Sequence, residues 1–179
     1  MNKNVLLALC ALAIPARSLA DGQWALDKST LTYHVSHPLH QSEGVSRAAK
    51  GKGVCHSGQC EFLIAVPVKS FDSGDSNRDL HMMQVVRGAQ FPMVTVRFSL
   101  PESTISQPGI LADLDVEFAG HTAHFKQVPF QHTVQGNEHR ITGTIPAKMT
   151  GFSIEAPSLL AIPAKDEIPV RVDMTWHPM

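Results

Sequence analysis

After its first twenty residues, this 179-residue chain has no apolar run near the roughly 18 residues that a membrane-spanning helix requires. It also lacks an excess of positive charge. Removing Lys3 and Arg17 from 15 basic residues leaves 13 against 16 acidic ones, a net charge near −3 with histidine neutral. That balance argues against a nucleic-acid footprint or a polybasic membrane patch. There is no G-x-S-x-G elbow, no H-E-x-x-H, no phosphate-binding loop and no dinucleotide fingerprint, so the common hydrolase, metalloprotease and nucleotide chemistries lack their sequence signatures. Internal repeats, low-complexity runs and domain linkers are missing as well. A single domain spanning residues 21–179 is expected.

Residues 1–20 read as a secretory signal peptide. Lys3 lies in a short polar start, an apolar run extends from Val5 to Ile14, and the small residues Ser18 and Ala20 precede Asp21. Cys10 falls inside this run behind Leu9, where a lipoprotein signal would place a small residue, so a lipid anchor is not expected. Cleavage after Ala20 would give a soluble, exported protein. It would also leave two cysteines, Cys55 and Cys60, in C-H-S-G-Q-C. In an oxidising compartment the expected state is a local disulfide across a glycine-bearing turn. A redox pair or half a metal site are the rival readings, but a redox role would prefer C-x-x-C near a βαβ pattern.

The remaining sequence alternates as strands do. Leu31, Tyr33 and Val35 share one face against Thr32, His34 and Ser36; Phe62, Ile64 and Val66 are in phase; Val94, Val96, Phe98 and Leu100 oppose Thr95, Arg97 and Ser99; and Leu114, Val116 and Phe118 oppose Asp113, Asp115 and Glu117. Gly120-His121 marks a hairpin turn. Segments 123–133, 140–147 and 168–176 supply three further strands, the last with Val170, Val172, Met174 and Trp176 on one face. About eight antiparallel strands result, and closing them into a barrel removes exposed edges and leaves room for one small ligand. A two-sheet sandwich satisfies the same periodicity.

One segment interrupts the strands. Phe71 to Phe98 contains a polar turn, a helix capped by Asp75 or Ser76 and running through Arg78, Leu80, Met83 and Val86, a stop at Gly88, and a new strand after Phe91-Pro92. Gly88 is expected in the left-handed position beyond the helix. Leu80, Met83 and Val86 are expected to face inward.

Several pieces, in order, resemble the YceI-like family of periplasmic polyisoprenoid- or lipid-binding proteins. They are Trp24-Ala25-Leu26-Asp27 with Ser29; Tyr33, Val35 and His37; Gly44 and Ser46; Phe71-Asp72-Ser73-Gly74; Asn77-Arg78-Asp79-Leu80-His81-Met82; Phe91-Pro92 entering Val94 to Phe98; Gly151-Phe152-Ser153-Ile154; Pro157-Ser158; and Lys165-Asp166 with Ile168 and Val170. Lys148-Met149-Thr150, the cysteine loop and the ten histidines depart from the family pattern.

The resemblance implies an all-β, lipocalin-like antiparallel barrel of about eight strands, with one helix between strands and an apolar tunnel for a long isoprenoid, quinone-type or acyl chain. It needs no catalytic group, metal or other cofactor. The candidate lining is Leu31, Tyr33, Val35, Phe62, Ile64, Val94, Val96, Phe98, Leu114, Val116, Phe118, Val170 and Val172. Leu80, Met83 and Val86 would close one end, and His37 would meet a polar head at the mouth. Each of these residues could equally serve ordinary core packing.

Two other functions remain open at this level. One is a histidine-rich metal-binding or stress-response module using His34, His37 and His40, although His34 and His37 point to opposite faces of a strand and Pro38 interrupts the run. The other is a soluble partner of a membrane redox protein, since relatives are associated with electron-transport chemistry. A homodimer is compatible with either. Asp79 and His81 could be assembled with a serine into a catalytic set on paper, but Asp79 beside Arg78 at a helix start reads better as a cap or ion pair.

Overall fold

The structure is a computed structural model, and it describes residues 22–179. The signal peptide expected over residues 1–20 lies outside the described residues. The strands are β1 (Gly22–His37), β2 (His40–Ser46), β3 (Lys50–His56), β4 (Gln59–Pro67), β5 (Met93–Pro101), β6 (Gly109–Phe118), β7 (His121–Gln135), β8 (Glu138–Ile145), β9 (Ser158–Leu159), β10 (Ile162–Pro163) and β11 (Val170–Pro178). One α-helix, α1 (Ser76–Val85), lies between β4 and β5.

The sheet runs β11-β8-β7-β6-β5-β4-β3-β1, and β11 pairs back onto β1 from Trp24↔Pro178 to Tyr33↔Val170. The result is a closed eight-stranded antiparallel barrel, the closed alternative to the sandwich. β1 is long enough to serve two partners on its other side: its first residues pair with β3, and Leu31 to His37 pair with β2. The two-residue strands β9 and β10 form a separate hairpin. Among the described residues no helix is long and apolar enough to cross a membrane, which says nothing of the strands.

Two bulges decide which side chains enter the barrel. Pairing of β1 with β11 shifts between Leu26 and Lys28, so Trp24 and Leu26 face inward before the extra residue, and Leu31, Tyr33, Val35 and His37 after it. In β7 the register moves from Leu114↔Phe125 to Ala112↔Val128, with Gln127 at φ 53°. The Asp113 carboxylate accepts from the Gln127 backbone N–H at 2.8 Å and from its side-chain amide at 3.0 Å, which holds the bulge in place.

Glycines make room inside. Gly44 faces Tyr33, Gly53 faces Phe62 and Gly143 faces Phe130, each pair directly opposite in register. A Cβ on any of these glycines would collide with the facing ring. This is how a narrow barrel accommodates large aromatics while keeping its strands paired.

Cys55 and Cys60 form the expected disulfide, across the β3–β4 hairpin between residues directly opposite in register. The helix cap is also as expected: the Asp75 side chain accepts from the Asn77 and Arg78 backbone N–H groups. The helix end differs. Arg87, not Gly88, takes the left-handed conformation, at φ 52°. Its guanidinium donates to the Ala119 carbonyl at 2.7 Å and lies 5.0 Å from the centre of the Phe91 ring, contacts that hold the residue there. Gly88 instead leaves room for the Met83 side chain, whose methyl would lie 2.5 Å from a Cβ there and would have to shift.

Candidate ligand-binding cavity

The barrel interior is not filled. A cavity of about 460 Å³ extends from Trp24, His132 and His139 at one end to His37, His40, Arg78 and His81 at the other. Its volume falls in the range of small-molecule sites, and at ~30 Å³ per water-sized group it has room for roughly 15. With ~3.3 Å per residue and a tilt of about 40°, the wall from Trp24 to His37 spans roughly 30 Å of barrel axis. The space is therefore long and narrow.

The middle of the wall is apolar. Leu31, Tyr33, Val35, Phe62, Ile64, Val94, Val96, Phe98, Leu114, Val116, Phe118, Val170 and Val172 all line it, as does Val86. Phe62 stacks on Phe98 with centroids 4.9 Å apart and meets Trp176 edge-on at 5.4 Å, a rigid aromatic belt near one end.

The helix presents a different face from the one expected. Leu80 is 60% exposed and Met83 packs on Gly88, so neither lines the cavity; Arg78, His81, Met82 and Val85 do, together with Val86. The reason is electrostatic. Asp75 caps the helix, and the Asp79 carboxylate accepts from the Ser73 N–H at 3.1 Å; these contacts hold α1 in the rotation that turns Leu80 outward. Hydrophobicity alone pointed to Leu80.

This end is polar at its rim. His37 is 3% exposed; its Nε2–H donates to the Ile162 carbonyl at 2.8 Å and its Nδ1 accepts from the Leu39 N–H at 3.1 Å. Together these bonds specify a neutral ring protonated on Nε2. His40 stacks on it at 4.9 Å. Burial pushes the Tyr33 phenol above its ordinary value, with Asp79 adding to the shift and Arg78 opposing it.

The other histidines are dispersed. His34 lies 3.4 Å from Glu43 and His124 2.6 Å from Asp115, both on the outer surface. Among the described residues no three His, Cys, Asp or Glu side chains gather as a metal site would require. Asp79, the one carboxylate of the paper triad, is occupied with Ser73, and Arg78 pairs with Asp75 at 3.6 Å.

Sequence reasoning did not single out Met82, Val85, Ile110, Phe130, Ile141, His132 or His139, all on the cavity wall. For Ile141 and His139 the signal was present, because they share parity along β8. For Phe130 and His132 it was hidden by the Gln127 bulge.

Comparison with known proteins agrees with this architecture. The sequence pattern of the YceI-like domain matches residues 24–176, nearly all of the described chain. The chain belongs to the YceI-like family. Among solved structures, a polyisoprenoid-binding domain from Saccharophagus degradans superposes with a TM-score of 0.73 at 13% identity, covering 87% of this chain and 98% of that one. BcnA of Burkholderia cenocepacia superposes with a TM-score of 0.68 at 15% identity, covering 82% and 95%. No curated protein matches the sequence. At these identities the likeness is one of fold, and this YceI-like barrel must be read from its own cavity.

Proposed function

We propose that this protein is exported to the periplasm, after removal of residues 1–20, and there binds one long-chain amphiphile, a polyisoprenoid, quinone-type or acyl lipid, for carriage or sequestration. The observation that carries this reading is the cavity of about 460 Å³ with an apolar middle and polar ends. A self-filled barrel would have no such space, and a compact polar metabolite would leave its hydrogen bonds unmade along the walls. The Saccharophagus domain, described as polyisoprenoid-binding, supports the same class of ligand.

The energetics are adequate without any catalytic group. Ten buried methylenes contribute about 8 kcal/mol before ordering costs, the scale of micromolar affinity. Candidate ligand contacts are Leu31, Tyr33, Val35, Phe62, Ile64, Val94, Val96, Phe98, Leu114, Val116, Phe118, Val170 and Val172, with Val86 of the chain segment after α1.

Native mass spectrometry of gently purified protein, followed by organic extraction, tests the proposal. A co-purified lipid at about one per chain, or uptake of an added polyprenol, is the expected result. Repeated absence of both would sink it. Calorimetry with Zn²⁺ and Cu²⁺ separates it from a metal-binding role.

A further inference from the structure

The cavity ends that face away from α1 carry an unexplained pair of imidazoles. Along β7 the inward row after the bulge is Val128, Phe130, His132, and along β8 it is Ile145, Gly143, Ile141, His139. At the end of these rows two histidines, diagonal neighbours in register with His132 opposite Ile141 and His139 opposite Val134, replace the aliphatic or aromatic residues that would close the wall at lower desolvation cost.

Their hydrogen bonds determine their protons. The Gln107 carbonyl lies 2.8 Å from His132 Nδ1 and can only accept, so His132 carries its proton on Nδ1. In the neutral pair His132 Nε2 is an acceptor, and the group facing it among the described residues is His139 Nδ1 at 3.0 Å, which then donates. Desolvation, and secondarily His132, lowers the His139 pKa below its ordinary value, which favours its neutral form. Its Nε2 is left as a bare acceptor with no partner among the described residues. His132 has a structural task, tying the β5–β6 connection to β7 through Gln107 and through its own N–H to the Pro108 carbonyl. His139 has none of this kind: it lines the cavity, edge-on to Trp24 at 4.7 Å.

We propose that His139 Nε2 receives a hydrogen bond from the ligand, so that the Trp24 end of the cavity seats a terminal hydroxyl and selects free alcohols of a long apolar chain over the corresponding ethers and hydrocarbons. The inference rests on the lipid-binding reading above and adds the polar group and the orientation of the bound chain: the donor-bearing terminus is at the end opposite Arg78 and His81.

Geranylgeraniol and its methyl ether share one chain and differ by a single donor. Both Trp24 and Trp176 line the cavity, so intrinsic fluorescence can follow their binding to the full mature protein. The alcohol is expected to bind about tenfold more tightly, the ratio for one buried neutral hydrogen bond. In His139→Phe the two should bind within about twofold of each other, with the ether close to its affinity for the unaltered protein; Arg78→Gln should keep the preference. Nitrogen-15 NMR of the unaltered protein should find His139 protonated on Nδ1. Equal binding of alcohol and ether, a preference that survives His139→Phe, one lost instead in Arg78→Gln, or a proton on Nε2 would each overturn the proposal while leaving lipid binding intact. Failure of both compounds to bind would overturn the lipid-binding reading and this inference with it.

Discussion

The Tyr33 ring lies across Gly44, its register partner on β2, so closely that a Cβ on Gly44 would stand 2.5 Å from the ring carbon Cζ and 2.7 Å from the hydroxyl oxygen. The glycine is the other half of the tyrosine's site. Gly44→Ala should destabilise the protein by about 1–3 kcal/mol, as overpacking does, and should swing the ring out of the cavity wall. Tyr33→Ala in the same chain should recover much of that loss, and a double-mutant cycle by urea denaturation measures the coupling. Additive costs would mean that the two residues do not constrain each other.

On α1, the inward residues are Met82 and Val85, not Leu80. Met82→Lys is expected to reduce lipid retention at least tenfold, because an ammonium would be placed in an apolar wall. Leu80→Lys should leave both retention and stability nearly unchanged, within about 0.5 kcal/mol for an exposed site. Lipid content by mass spectrometry and Tm distinguish the two variants.

The disulfide joins Cys55 and Cys60, both buried, at the end of the barrel near Gly22. Replacing both with serine should cost about 2 kcal/mol, the loop-closure entropy expected for so short a loop. Guanidinium denaturation with and without reductant reads it directly. A Cm unaffected by either treatment would show that the bond adds nothing.

The β9–β10 hairpin turns through Leu160 and Ala161 with φ of 51° and 62°, left-handed values that glycine and asparagine adopt more readily. Leu160→Asn with Ala161→Gly is therefore expected to raise stability, by about 1 kcal/mol. A drop in Tm would contradict the turn geometry. Leu160 is 80% exposed, so little packing is lost in the exchange.

His139 also sets a pH dependence. Its folded pKa lies below the unfolded value of about 6.5, so the unfolded chain binds the proton more readily. The neutral ring's contribution is present above pH 6.5 and is lost as pH falls through the folded value. The lowered carboxylates Asp75, Asp113, Asp166 and Asp173 act in a separate window below about pH 4. Urea midpoints between pH 7.5 and 5 should decline more steeply for the unaltered protein than for His139→Phe. Parallel declines would rule out this contribution.

Much of the barrel was legible as a pattern. Alternation in Leu31 to Val35, Phe62 to Val66, Val94 to Leu100 and Leu114 to Phe118 depends only on the two-residue repeat of a strand, and those segments pair without a break where it was read. The cap at Asp75 and the cysteine pair were equally local. Barrel or sandwich was not, because both bury one face of each strand; the pairing of Leu31 with Val172 and its neighbours along β1 and β11 decides for closure.

Propensity, capping and alternation act over a few residues, and they set the type and order of the elements. Which side chains meet inside was settled by contacts that local pattern does not encode. Parity along β7, counted from Ala123 and Phe125, would place His132 outside; the extra residue at Gln127, held by Asp113 from the neighbouring strand, reverses it. Likewise Asp79, drawn to Ser73, turns Leu80 outward and Met82 inward. The first depends on a hydrogen bond between neighbouring strands, which exists only once they have paired; the second depends on a contact six residues apart, whose geometry is set by the way the turn before α1 folds.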